Sequence, residues 1–195
     1  MNFFLIHQCY AALAPWTVVS LLLLGRNPRL ARTRIIVSLL LAIFLLLTPV
    51  YGWSVFAWIR VLEPNPSFTL TGLLVLALWR RISGRRFFCP AEWRTAWMFG
   101  SGTALILYPM GLGLTSMDPY CWGWGSILPV AVTLTATVLL LKGNRFGVIL
   151  LFPMAGYLLH LQHSRNFWDS LTDPFYAGFS LIAVAVLLLR RRPEL

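Results

Sequence analysis

A chain of 195 residues with 58% hydrophobic and only 11% charged side chains departs from ordinary soluble composition, in which about a quarter of residues are charged. Its 16 Lys and Arg against 6 Asp and Glu give a formal charge of +10. The arginines stand in short clusters between apolar runs without interleaved stacking platforms, so nucleic acid is excluded as the expected partner and anionic lipid is favoured.

Runs of about twenty apolar residues suit helices that cross a bilayer, and the sequence predicts seven such segments. They are Phe3 to Leu24, Ile35 to Trp53, Pro66 to Trp79, Trp97 to Leu114, Pro119 to Leu141, Phe146 to Leu161 and Pro174 to Leu189. The first has no Lys or Arg before Arg26; it lacks the basic start of a cleaved leader and is expected to remain as a helix. The third is the shortest, with about fourteen residues before Arg80, or about 21 Å at helical rise.

Basic residues favour cytoplasmic loops. Arg26, Arg29, Arg32 and Arg34 follow the first segment, and Arg80, Arg81, Arg85, Arg86 and Arg94 follow the third. Lys142 and Arg145 follow the fifth, Arg190, Arg191 and Arg192 close the seventh, and the alternate loops hold Arg60 and Arg165. Omitting the third segment would move every later cluster to the other side. The expectation is therefore an all-α polytopic membrane helix bundle: one integral membrane domain over 1–195, with seven transmembrane helices. Its N-terminus is placed outside and its C-terminus in the cytoplasm, in the cell envelope at a bacterial inner membrane. Trp53, Trp58, Trp122, Trp124 and Trp168 are expected at the outer interface and Trp79, Trp93 and Trp97 at the inner one.

Three Asx-Pro pairs, Asn65-Pro66, Asp118-Pro119 and Asp173-Pro174, open the third, fifth and seventh segments. Each reads as a helix N-cap followed by proline at the first helical position. Asn is as good a cap as Asp, so Asp118→Asn and Asp173→Asn are expected to be mild. The intervening segments carry T-P-V-Y-G at Thr48, Y-P-M-G at Tyr108 and F-P-M-A-G at Phe152. These marks suggest three helical-hairpin repeats over 35–189, although their spacing varies.

The densest polar stretch runs from His160 to Asp173. His160 and His163 share a helix face, and with Arg165, Asp169 and Asp173 they form a candidate outer-face polar site, joined by Asp118 and Glu63 from the other outer loops. Two readings are open: acid-base or metal chemistry, or a capped, Trp-anchored loop in which Arg165 pairs with Asp169 at the surface. H-x-x-H alone does not define a metal site, so no metal and no cofactor is assigned. Cys9, Cys89 and Cys121 lack ligand or disulfide spacing. With no catalytic signature, the leading expectation is a non-catalytic accessory or interaction subunit. The alternatives are a small transporter or lipid-handling protein, and an enzyme with an outer-face site; the expected partners are the lipid bilayer, a membrane-protein partner or a bound lipid.

Overall fold

In the computed structural model, residues 3–25, 32–114 and 116–190 are described, with side chains in the first helix from Cys9 onward. Arg26, Arg29, Arg191 and Arg192 lie outside the described residues. The chain is helical, in the order α1 (Phe3–Leu24), α2 (Arg32–Leu47), β1 (Pro49–Val50), β2 (Trp53–Ser54), α3 (Val55–Leu62), α4 (Phe68–Ser83) and α5 (Pro90–Gly111). A 3-10 helix (Pro119–Trp124) follows, then α6 (Ile127–Leu141), α7 (Phe146–Leu158), α8 (Phe167–Leu171) and α9 (Pro174–Arg190).

These elements form two compact units, one of Met1–Pro66 with Thr71–Phe87, the other of Ser67–Leu70 with Phe88–Leu195. In the first, α1 packs on α2, and the Trp16 indole N–H donates to the Leu39 carbonyl at 3.2 Å. The run read as one segment to Trp53 breaks instead at Pro49. Pro49 pairs with Ser54 and Val50 with Trp53 in an antiparallel hairpin. Its two central residues, Tyr51 and Gly52, have φ of 50° and 80°, the geometry of a tight two-residue turn in which glycine is unstrained. Ser54 then caps α3 by accepting from the Ala57 N–H at 3.1 Å, and the Trp58 indole donates back to the Val50 carbonyl at 2.9 Å.

In the second unit α5 packs along α9 and α6 along α7. The α5–α9 contact is close because small residues meet a large one: Ala96 and Gly100 face Tyr176, whose hydroxyl donates to the Ala96 carbonyl at 2.6 Å. Burial first, then the Asp173 charge, pushes the Tyr176 phenol well above its ordinary range.

The membrane reading is corrected at this level. Among the described residues no helix is long and apolar enough to cross a membrane. Helices α2, α4, α6, α7 and α9 hold 13 to 17 residues, a rise of about 20–26 Å against a hydrocarbon core of about 30 Å. The longer α5, with 22 residues, carries Glu92 and Arg94 near its start and Pro109 near its end. The seven transmembrane spans are thus unsupported, and the inner-membrane location and envelope setting that rested on them fall with them. Trp168, expected at an interface, is 2% exposed.

The Asx-Pro pairs occupy three different local structures. Asp173-Pro174 opens α9 as read. Asp118-Pro119 opens the 3-10 helix, and α6 starts separately at Ile127. Asn65-Pro66 precedes Ser67, whose hydroxyl oxygen accepts from the Leu70 N–H at 3.1 Å and so caps α4.

Candidate functional site

The polar stretch folds around α8, a helix of five residues. Asn166 is its N-cap: the side-chain oxygen accepts from the Trp168 N–H at 2.9 Å, while the amide nitrogen donates to the Tyr120 carbonyl at 3.0 Å. The Trp168 indole donates to the Pro119 carbonyl at 2.8 Å. One buried Asn and one buried Trp therefore fasten α8 to the 3-10 helix through backbone carbonyls. The fit leaves no room at Gly123, where an added Cβ would stand 1.8 Å from Asn166 Oδ1 and 2.9 Å from Trp168 Cδ1.

Asp169 sits in the first turn of α8, where a carboxylate is favoured by the helix dipole. It accepts from the Tyr120 hydroxyl at 3.0 Å. Burial first, and then the Asp169 charge and hydrogen bond, push the Tyr120 phenol up to about 12. Behind Asp169, the Gln162 amide donates to the Asp169 carbonyl at 3.3 Å and accepts from the Ser170 hydroxyl at 2.9 Å.

His160 follows α7 with a φ of 51°, and its N–H donates to the Tyr157 carbonyl at 3.1 Å; it forms the left-handed residue that ends the helix, with an exposed side chain. His163 and Arg165 are also exposed. Asp169 faces Tyr120, and no ion pair joins it to Arg165. Among the described residues no three His, Cys, Asp or Glu side chains come together in a group able to hold a metal.

Asp173 is 3% exposed and both of its oxygens are committed. Oδ1 accepts from the Tyr176 N–H at 2.7 Å, capping α9, and Oδ2 accepts from the Ser67 N–H at 2.7 Å, just before α4. One carboxylate ties two helix starts. Asp118 is exposed and uses a single oxygen, accepting from the Tyr120 N–H at 2.9 Å. Glu63 lies in the other unit, where it ends α3 and accepts from the Asn65 N–H at 3.2 Å.

A second buried carboxylate, Glu92, repeats the device of Asp173. Oε2 accepts from the Cys89 N–H at 2.6 Å and Oε1 from the Arg145 N–H at 2.8 Å, joining the starts of α5 and α7. Burial alone would raise the Glu92 carboxyl, but the Arg145 and Cys89 amides outweigh it and hold the group below its ordinary value. Sequence reasoning passed over Glu92, Tyr120 and Gln162, and it placed Asn166 in the polar stretch without assigning it the cap of α8. Cys89-Pro90-Ala91-Glu92 has the spacing of a capping box, and Asn166 before F-W-D has that of an N-cap, so both signals were present. The partners of Tyr120 and Gln162 follow only from the docked elements.

Chemically, the cluster is a set of donors and acceptors spent on one another, with Asp169, Tyr120 and the exposed His160, His163 and Arg165 at its surface. No protein-family model matches the chain, and no curated protein or solved structure matches it.

Proposed function

We propose that the chain is a non-catalytic interaction subunit whose exposed apolar helix faces pack against helices of a protein partner. The observation that carries this reading is the spacing of the exposed apolar residues. On α9, Phe175, Phe179, Ile182, Val186 and Leu189 are exposed at alternating intervals of four and three. On α2, Ile36, Leu40, Ile43 and Leu47 follow the same rhythm within a broader exposed apolar face that includes Val37 and Phe44, while Ser38 and Ala42 are buried. On α6, Ile127, Val130, Leu134, Val138 and Leu141 make a similar exposed stripe. Such intervals are those at which one helix receives the knobs of another, and large contiguous apolar patches mark interaction surfaces.

Site-directed photo-cross-linking tests it. A photoreactive residue placed in turn at Phe179, Ile182 and Val186 should give discrete protein adducts in the native host, and one at Ala183 should give weaker ones. The adduct mass identifies the partner as a second copy or another chain. Uniform, stripe-independent labelling, or no adduct at all, refutes the reading.

Binding of a lipid or another alkyl-chain ligand is a second reading, favoured by a cavity of about 330 Å³ in the first unit. Cys9, Ala12, Leu13, Trp16, Ile43 and Phe56 are among its walls. The Trp16 N–H is already used by the Leu39 carbonyl, leaving an apolar lining.

A further inference from the structure

The end of α4 is organised differently from the apolar stripes. Arg80 and Arg81 lie in its last turn, where cations suit the negative end of the helix dipole. The helix stops at Gly84, with φ of 69°, whose N–H donates to the Arg80 carbonyl at 3.0 Å. The Ser83 hydroxyl donates to the Trp79 carbonyl at 2.8 Å and accepts from the Arg85 N–H at 3.1 Å. A defined turn therefore presents Arg85 and Arg86 beyond the helix end, where the dipole no longer accounts for them.

No acidic residue occurs between Glu63 and Glu92, and among the described residues none of these four guanidiniums is ion-paired. Exposed apolar side chains stand among them: Trp79, Ile82 and Phe87 are 54%, 36% and 37% exposed. We propose that residues 79–87 dock on an anionic phospholipid surface. The four arginines complement lipid phosphates, while indole is favoured at the boundary between headgroups and acyl chains. Ile82 helps decide between lipid and a nucleic-acid strand, because an aliphatic side chain gains nothing from stacking on bases but is buried at an acyl boundary. Docking from one side needs no helix to cross the layer.

The test is co-sedimentation of the purified full-length chain with phosphatidylcholine vesicles, with and without about 30 mol % phosphatidylglycerol. The anionic vesicles should bind more tightly, and that advantage should shrink as salt rises from about 0.1 to 0.5 M. Each guanidinium removed should cost about fivefold, so R80Q/R81Q/R85Q/R86Q should lose about two to three orders of magnitude. The corresponding Arg→Lys variant should retain most of the binding. Equal binding to neutral and anionic vesicles, insensitivity of the wild-type chain to salt, or tighter binding to polyuridylate than to anionic vesicles would each overturn the proposal. The salt series uses the unaltered chain, so it decides even where the four-site variant folds poorly.

Discussion

Asparagine should behave differently at Asp173 and Asp118, because the two caps use different numbers of oxygens. At Asp118 only Oδ1 accepts, from the Tyr120 N–H, and an asparagine oxygen can take its place. At Asp173 both oxygens accept backbone N–H groups at 2.7 Å, from Tyr176 and from Ser67. Asparagine has one acceptor, so whichever way its amide turns, its NH2 meets a buried N–H with donor against donor. Losing one charge-assisted hydrogen bond and stranding that amide should cost about 2–4 kcal/mol for Asp173→Asn, and about 3–5 kcal/mol for Asp173→Ala. Asp118→Asn should stay within about 0.5 kcal/mol of wild type, and Asp118→Ala should cost about 0.5–2 kcal/mol. Chemical denaturation gives the stabilities, and amide hydrogen exchange at Ser67 and Tyr176 locates the damage. Asp173→Asn proving as mild as Asp118→Asn, with the Ser67 amide still protected, would refute the two-helix tie.

Gly123→Ala should destabilise by about 3–5 kcal/mol, since the new methyl displaces Asn166 from two hydrogen bonds; in an Asn166→Ala background its effect should shrink, and full additivity would show that the clash lies elsewhere. The lowered Glu92 carboxyl contributes stability that is present above its unfolded value and lost as pH falls through the folded one, so acid-unfolding curves of wild type and Glu92→Gln should converge at low pH. The Tyr120 phenol, raised to about 12 from 10.0, contributes stability below the unfolded value that is lost as pH rises toward the folded one; Tyr120→Phe should remove that alkaline dependence, read by ultraviolet phenolate absorbance alongside unfolding.

What was legible in the sequence was local. The bounds of α1 and the starts of α7 and α9 coincide with those read from apolar runs and the Asp173-Pro174 cap. The runs failed where backbone geometry changed without a change in polarity. T-P-V-Y-G lies within a run read as one apolar segment, yet the strand Pro49–Val50, followed by Tyr51 and Gly52 at positive φ, makes a hairpin there. Likewise Pro119 to Leu141 holds no charged residue, but Gly125 and Ser126 divide it into a 3-10 helix and α6. Of the candidate site, Asp173 and Asp118 were recognisable as caps. The second partner of Asp173, and the turning of Asp169 to Tyr120 in place of Arg165, depend on contacts 106 and 49 residues apart, which no local pattern encodes.

The distribution of apolar residues explains why composition overstated the case for crossing helices. Composition counts side chains, whereas crossing a bilayer requires them in one unbroken helix of sufficient length. Here some of the close helix contacts are made by small residues: Ser38 and Ala42 are the buried positions in the middle of α2, and Ala96 and Gly100 meet Tyr176 and Ser180 between α5 and α9. Close approach of backbones uses little apolar bulk. Many larger Ile, Leu, Val and Phe side chains nonetheless remain exposed on α2, α6 and α9, where their spacing suits further helices. Among the described residues the buried carboxylates oppose this pattern at two points, Glu92 and Asp173, and each accepts two backbone N–H groups from different helix starts. Their charge is therefore spent on backbone N–H groups at helix starts, which leaves Asp169 and Asp118 as the partly accessible carboxylates of that unit's polar cluster and its apolar stripes as the larger surface for recognition.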